Sequence, residues 1–254
     1  MAITLRRRRK IAKKLLAYGE ESFECCDSIE SSLANNNPNG YLFAVILDQG
    51  VQAEKAWGNI SKLMDRLGTN RLGRRELRKI ARMSTTKLKR LMGRYPALHR
   101  WPRKVAPWLK SAAQQLLDHF SGNANRIWNN TPRAKDVIRA FEDFEGIGQK
   151  KSTMAANLLY RAVGIPMRRL RDIDVSVDIN VQRVFMRAGL ASSKDKDEII
   201  ESARQLNPRF PGELDWPAYD IGRNWCLKEK AYCEDNEGDC PLVKVCPKLF
   251  KNRI

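Results

Sequence analysis

The sequence predicts an all-α fold, from the period of its apolar residues and from the lack of paired strand signals. Apolar residues recur every three to four positions along most of the chain, which is the spacing of one helix face. Such stretches span 52–67, 73–83, 84–92, 103–120 and 134–144. No two alternating runs are joined by a tight turn, so we expect no β-hairpin. A chain of 254 residues is long enough for one large domain or two small ones.

The chain is strongly basic, with a formal net charge of +18 and a pI near 9.9. Seven basic and two acidic residues lie among the first 21, so most of the excess charge belongs to the body of the chain. A polyanion is the simplest partner for such a surface, and nucleic acid is the leading candidate. The alternatives are a basic surface that only keeps the protein soluble and an anionic membrane surface, which no helix with a strong apolar face supports.

Nothing in the sequence predicts export or membrane insertion. No apolar run approaches the roughly 18 residues needed to cross a bilayer. The basic segment 6–10 is not followed by the apolar stretch of a secretory signal. We therefore expect no membrane partner and a location in the cytoplasm, or in the nucleoid or nucleus where the DNA lies.

The first elements are a basic helix, a break and an apolar run. Residues 5–18 combine arginine and lysine with a periodic apolar stripe, which predicts an amphipathic helix. Residues 29–40 are rich in asparagine and contain a proline and a glycine, so we expect a break there. Residues 41–47 are apolar throughout and predict a buried element, which the polar run Asp-Gln-Gly at 48–50 ends.

A tight turn with two glycines separates two helical patterns at F-E-G-I-G-Q-K, residues 144–150. We expect Gly146 and Gly148 to adopt backbone angles closed to other residues, and Ile147 to turn inward and hold the turn to the core. The amides of the turn and of the next helix then face a phosphate oxygen without reading any base. Alone, the two glycines fit an ordinary helix C-cap and turn as well.

Lys150 lies at the start of the helix that follows this turn. The positive end of a helix disfavours an ammonium, and a neutral amine there is a nucleophile able to form a Schiff base at a sugar carbon. The alternative is that Lys150 only contacts phosphate, a role that Lys151 beside it would fill equally well.

Asp178 precedes the amphipathic segment I-N-V-Q-R-V-F-M-R and is placed to cap it. A capping carboxylate that stays ionised would also stabilise a positively charged sugar in a transition state. The cap alone is a sufficient reason for the residue. Asp172 and Asp174 are rivals for the chemical role, but they are less well placed at a helix start.

Six cysteines fall into an adjacent pair, Cys25 and Cys26, and a C-terminal group. Buried thiols suffice to explain the pair. The group has the spacing C-x6-C-x6-C-x5-C and consists of Cys226, Cys233, Cys240 and Cys246. Four thiolates suit zinc or an iron–sulfur cluster, and the lack of a tight C-x2-C pair favours the cluster. Lys228 and Lys230 lie in the first loop of the group and are candidate phosphate contacts, whereas the acidic loop 234–239 is expected to face away from DNA.

Taken together, these motifs resemble the endonuclease III family of helix-hairpin-helix DNA glycosylases, over roughly residues 41–246. F-E-G-I-G-Q-K matches the family's L-P-G-V-G-x-K, which implies that Lys150 is the catalytic lysine. V-D-I-N-V-Q-R-V matches V-D-T-H-x-x-R-V, which implies that Asp178 is the catalytic aspartate. I-G-R-N-W-C matches the H-G-R-x-x-C that enters the family's cluster at Cys226.

The resemblance implies two all-α domains with double-stranded DNA between them. The first is a six-helix barrel with the helix-hairpin-helix near the interdomain cleft, at 30–162. The second is a discontinuous iron–sulfur domain of 1–29 and 163–254, with a mainly structural [4Fe–4S] cluster on the four cysteines, or zinc as the alternative. The target nucleotide would be flipped into the cleft. A loop that fills the gap left by that nucleotide would contain Gln49 or Gln52, a match that core packing or a turn explains equally well.

The sequence therefore predicts a monomeric DNA glycosylase of base excision repair with abasic-site β-lyase activity. The alternatives are a glycosylase without lyase activity, a non-catalytic DNA-binding protein that kept the fold, and a zinc-stapled nucleic-acid binder. Two departures bear on the substrate. The interval from Cys233 to Cys240 is four residues longer than the family's usual two, and Ile179 and Asn180 replace its Thr-His.

Overall fold

The computed structural model describes residues 3–23, 29–234 and 239–250. This part of the chain contains twelve α-helices, four short 3-10 helices and no strand, which confirms the all-α prediction. The helices are α1 (Leu5–Phe23), α2 (Ile29–Asn36), α3 (Pro38–Leu47), α4 (Ala53–Leu67), α5 (Arg74–Arg82), α6 (Thr85–Gly93), α7 (Pro102–His119), α8 (Ala134–Glu142), α9 (Gln149–Arg161), α10 (Ile179–Arg187), α11 (Lys196–Leu206) and α12 (Asp215–Asn224).

The chain divides into two compact units. One unit contains α2 to α9 and ends at Arg168. The other combines α1 with the residues from Arg169 onward, which carry α10 to α12. The sequence-based domain limits at 29/30 and 162/163 stay a prediction.

Helix α3 is the spine of the unit that contains α2 to α9. All ten of its residues are buried, as the apolar run predicts, and α4 and α7 pack against it. Tyr41 lies fully inside, donates a hydrogen bond to the carbonyl of Ala155 in α9 (2.8 Å), and packs edge-on against Trp57 and Trp128. The spine therefore holds α9, and the turn that precedes α9, in a fixed place.

The break predicted over 29–40 is wrong in its extent. Helix α2 occupies most of that segment, and only Asn37 separates it from α3. Asn37 caps α3 by accepting a hydrogen bond from the amide of Gly40 (3.3 Å), and Pro38 occupies the first turn, where a missing N–H costs nothing. The asparagine and proline therefore start a new helix and do not form a loop.

The other unit is built around α10 and α12. Its core contains Ile11 and Leu15 of α1 together with Val184 and Phe185 of α10. Gly222 of α12 permits a close crossing, because a Cβ there would lie 2.7 Å from the Cβ of Asn180 and 2.9 Å from its carbonyl oxygen. The N-terminal turn of α10 thus rests directly on α12.

In the described segments, we find no helix whose length and apolar character would allow it to cross a membrane.

Candidate functional site

The turn between α8 and α9 is pinned by one glycine and one isoleucine. Gly146 has φ +84°, and a Cβ on it would lie 2.5 Å from the ring of Trp108, so the turn requires glycine there. Ile147 is buried, as predicted. Gly148 is extended with open space around it, so the expectation of a restricted conformation at this second glycine is wrong.

Gly148 serves as the N-cap of α9. Its carbonyl accepts hydrogen bonds from the amides of Lys151 and Ser152, each at 3.0 Å. A glycine cap supplies no side-chain oxygen to compete for the first amides of the helix. That leaves the end of α9 suited to an anionic oxygen.

The structure places the two adjacent lysines of α9 in different environments. Lys150 is exposed. Lys151 is buried, and its Nζ donates a hydrogen bond to the carbonyl of Ile46 (3.0 Å) and lies 5.9 Å from the ring centre of Trp108. Burial, with the charges of Lys150 and Lys104 acting in the same direction, lowers the pKa of Lys151 to about 8, although the nearby Asp48 opposes the shift. Burial thus disfavours a phosphate contact by Lys151.

Asp48 lies at the C-cap of α3, two residues beyond the carbonyl that holds Lys151. The carboxylate is half-buried, and Trp57 donates a hydrogen bond to it. Burial raises its pKa, and the positive charges of Lys150 and Lys151 act against that shift. Sequence reasoning missed Asp48 as a functional residue, and the only signal was an acid placed directly after a wholly apolar run.

The loop after Asp48 is anchored by His99. The backbone N–H of Trp101 donates to Nδ1 of His99 (3.0 Å), so Nε2 carries the proton and donates to the carbonyl of Gln49 (3.0 Å). Burial lowers the pKa of His99, which favours this neutral form. Trp101 also packs against Gly50, where a Cβ would lie 2.5 Å from the ring. His99 and Trp101 therefore hold the loop that follows Asp48 in place.

Two glutamines beside the lysines contain buried amide atoms without a partner in the described chain. They are Oε1 of Gln49 and both amide atoms of Gln149. Unsatisfied buried polar atoms are rare in folded proteins and call for a bound partner or water. Gln52, the other residue predicted to contact DNA in this loop, is exposed at the N-cap of α4.

Asp178 caps α10, as predicted. One carboxylate oxygen accepts hydrogen bonds from the amides of Asn180 and Val181, each at 2.8 Å, and the other accepts from the side chain of Asn180 (3.3 Å). Asp174 instead forms an ion pair with Arg204 (2.8 Å). The cap therefore distinguishes Asp178 from this rival.

Two arginines of α10 connect the Asp178 cap to the cysteine loop. Arg183 is buried and donates hydrogen bonds to Asn180 Oδ1 (2.6 Å), to the carbonyl of Gly222 (2.6 Å) and to the carbonyl of Cys226. Arg187 donates to the carbonyl of Leu227 (2.6 Å) and approaches the sulfur of Cys226 (3.5 Å). The carboxylate and the first cysteine are thus held by one hydrogen-bonded unit.

The four C-terminal cysteines line one cavity. The remaining walls of the cavity are mainly apolar side chains of α10, α12 and the C-terminal segment. Burial raises the pKa of Cys240 to about 11 and that of Cys246 to about 12. Within the described residues, no group of three or more His, Cys, Asp and Glu side chains is arranged to hold a metal ion.

Four thiols are a donor set for zinc or for an iron–sulfur cluster. Zinc needs four sulfurs at about 2.3 Å from one point, whereas a cluster is bound by thiolates spread around a cavity. All four cysteines line one cavity, so the donor set fits either group. Cys25 and Cys26 lie outside the described residues, as does most of the acidic loop 234–239.

The lysines predicted to meet phosphate in the cysteine loop are exposed. Lys228 lies 3.8 Å from Glu229, and its carbonyl accepts a hydrogen bond from Arg187 (3.1 Å). Lys230 is exposed as well. Their role in DNA binding stays a prediction.

No protein-family model matches the sequence, and no curated protein does. Solved structures match nearly the whole chain. An endonuclease III trapped as a covalent intermediate with DNA, in an estranged-adenine complex, has a TM-score of 0.66 and 16% identity, over 94% of this chain and 96% of that chain. A thermostable thymine-DNA glycosylase has a TM-score of 0.65 and 17% identity, over 97% and 98%. A non-covalent endonuclease III–DNA complex has a TM-score of 0.63 and 18% identity, over 94% and 95%.

These similarities show the fold. The chain has the fold of the endonuclease III and thymine-DNA glycosylase structures, and the predicted resemblance is confirmed at that level.

Replacing Arg183 by methionine is expected to lower the free energy of unfolding by about 3 kcal/mol, because buried carbonyls lose their donor. Chemical denaturation measures the change. The matched control is Arg204→Met, which removes an ion pair whose side chains are 52% exposed for the arginine and 13% for Asp174 and should change stability by no more than about 1 kcal/mol. Equal effects of the two substitutions would contradict the assigned role of Arg183.

Proposed function

We propose that the protein is a DNA glycosylase of base excision repair that also cleaves the resulting abasic site. The observation that carries the proposal is the exposed Lys150 directly after the two-glycine turn, with the buried ammonium of Lys151 beside it. An exposed amine at a phosphate-binding turn is placed to meet a sugar carbon of bound DNA. The fold shared with endonuclease III, which was trapped as a covalent intermediate with DNA, supports the same conclusion.

DNA binding rests on charge and on the turn. The net charge of +18 favours a polyanion, and such binding weakens steeply as salt is added. Gly146, Ile147 and Gly148 present the start of α9 to a phosphate. The Oε1 atom of Gln49 and both amide atoms of Gln149 have no protein partner in the described chain, and a nucleotide supplies both donors and acceptors.

In the proposed reaction, the neutral amine of Lys150 forms a bond with C1′ of the target nucleotide while the bond from C1′ to the base breaks. The electron pair leaves with the base, which gains a proton. The bonded nitrogen then loses a proton and its lone pair displaces O4′ from C1′, so that the sugar ring opens to a Schiff base and O4′ takes up a proton. Loss of a proton from C2′ is followed by breakage of the C3′–O bond, and the electron pair of that bond leaves with the 3′ phosphate.

Asp178 is proposed to stabilise the positive charge that develops on the sugar. Two amides and the Asn180 side chain hold its carboxylate in place. Fixed groups aimed at developing charge are the largest single source of rate enhancement in many enzymes. The lone pairs that the cap leaves free are available to the sugar or to a water molecule.

We further propose that Cys226, Cys233, Cys240 and Cys246 hold a [4Fe–4S] cluster. The support is a cavity that all four line. The cluster would supply structural cross-linking of the C-terminal loops, and Arg187 would donate to the sulfur of Cys226. The interval from Cys233 to Cys240 is four residues longer than the family's, and all four cysteines still line the cavity.

Borohydride trapping on duplexes with an abasic site, or with one of a panel of damaged bases, tests the catalytic roles. The wild type should form a covalent adduct, and Lys150→Ala should lose it. Lys87→Ala, which removes another exposed lysine of the same unit, should trap like the wild type. Equal trapping by Lys150→Ala would contradict the role of Lys150 as the nucleophile, and no adduct with the wild type would contradict lyase activity. Base release that survives Lys150→Ala would indicate a glycosylase without lyase activity.

Asp178→Asn separates the two roles of that residue in the same assay. Asparagine caps a helix as well as aspartate does, so the melting temperature of the variant should equal that of the wild type. Base release should fall by about 100-fold, because the negative charge is lost. Unchanged base release and strand cleavage on every substrate, with DNA affinity retained, would favour a non-catalytic DNA-binding protein.

Metal analysis of protein purified without oxygen tests the cluster. We expect iron and acid-labile sulfide in equal amounts and a yellow-brown colour. Cys240→Ser should lose the iron and lower the melting temperature. Zinc alone in such protein would overturn the cluster assignment and favour the zinc alternative.

A further inference from the structure

Asp48 is a charged residue near the start of α9 that has no role in the proposed reaction. It ends the buried helix α3, and its carboxylate accepts a hydrogen bond from Trp57. The Lys151 Nζ bonds the carbonyl of Ile46, two residues before Asp48 (3.0 Å), which ties the start of α9 to the end of α3. The charges of Lys150 and Lys151 both act on the carboxylate.

We propose that Asp48 is a further catalytic residue, the base that takes the proton which Lys150 must lose before it attacks the sugar. The inference rests on the proposed function, because it assigns a role within the same reaction. It adds a carboxylate from α3 to the catalytic lysine of α9, and both residues lie in the same unit.

The fixed position of Lys151 supports this assignment. Its Nζ bonds the carbonyl of Ile46 (3.0 Å), so the lysine is tied to the backbone just before Asp48 and cannot serve as the exposed nucleophile from that position. Lys150, the next residue toward the turn, is exposed, and its charge acts on Asp48.

The proton moves in a balanced cycle. The Lys150 ammonium gives one proton to the Asp48 carboxylate, which leaves a neutral amine and a carboxylic acid. The amine nitrogen bonds C1′ with its lone pair as the bond to the base breaks. The departing base takes the electron pair of that bond and the proton from Asp48, directly or through water, and the carboxylate is restored. No oxidant, reductant or metal is consumed.

The environment of Asp48 sets the expected pH dependence. The groups that act on it are Lys150 and Lys151 of α9, Glu30 of α2 and the indole of Trp57 in α4. Burial and, to a smaller extent, Glu30 raise its pKa, and the two lysines oppose this. Asp48 accepts a proton only above that pKa, so the rate of adduct formation should rise with pH as the carboxylate ionises.

Single-turnover trapping across a pH series tests the proposal, with the full-length protein and an abasic duplex. Asp48→Asn should form the adduct about 100-fold more slowly at neutral pH, and the acid limb due to Asp48 should disappear. DNA affinity, measured by fluorescence anisotropy, should stay within about twofold. Asp136→Asn, an exposed aspartate of α8 in the same unit, should keep the wild-type rate and profile.

The outcomes separate this inference from the proposed function. If the wild type forms no adduct on any substrate, the proposed function fails. If wild type and Asp136→Asn trap DNA and Asp48→Asn does so at the same rate with the same acid limb, only the role of Asp48 is overturned. A faster adduct in Asp48→Asn overturns it too, because the carboxylate would then only hold the lysines protonated.

If Asp48→Asn does not fold, Asp48→Glu decides the question. This variant keeps a carboxylate on a longer side chain. Its acid limb should remain but shift relative to wild type, because the new carboxyl group lies in a different environment. An acid limb identical to that of the wild type would assign the titration to another group and overturn the proposal.

Discussion

The hydrogen bond from the Lys151 ammonium to the Ile46 carbonyl is the constraint on which the lysine site depends. It ties the start of α9 to the end of α3, a helix with no exposed residue. Burying an ammonium costs several kcal/mol unless other groups compensate. The carbonyl, the Trp108 ring and the charge of Asp48 supply that compensation. With the tie in place, Lys150 stays at the surface directly after the turn, and Asp48 lies two residues beyond the carbonyl that holds Lys151.

A second constraint, in the other unit, is the buried guanidinium of Arg183. It bonds Asn180 at the start of α10 and the carbonyls of Gly222 and Cys226. The carboxylate of Asp178 and the cysteine loop are therefore set by one side chain. A cluster on the four cysteines would act on the fold through this connection, because any shift of Cys226 moves an acceptor of Arg183. The proposed metal site and the proposed catalytic carboxylate are thus linked structurally.

Much of this architecture could be predicted from the sequence, because helix period, caps and turns are local properties. The periodic stretches are helices, Asp178 is an N-cap, and Ile147 turns inward. The failures arise where a tertiary contact decides. The sequence predicted a restricted backbone conformation at both Gly146 and Gly148, but of the two only Gly146 packs against the ring of Trp108. Tertiary packing alone decides that Lys151, and not Lys150, bonds to α3. The groups that act on Asp48 come from α4 and α9, and no spacing in the sequence reveals them.

In the proposed reaction the two adjacent lysines have different roles. Lys150 is the nucleophile, and Lys151 is the buried residue that holds the start of α9 in place. The most direct test is to locate the bond in the borohydride-reduced adduct. Protease digestion followed by mass spectrometry, with fragmentation between residues 150 and 151, assigns the DNA remnant to one side chain. We expect the DNA remnant on the side chain of Lys150. A remnant on Lys151, or on the N-terminal amine, would contradict it.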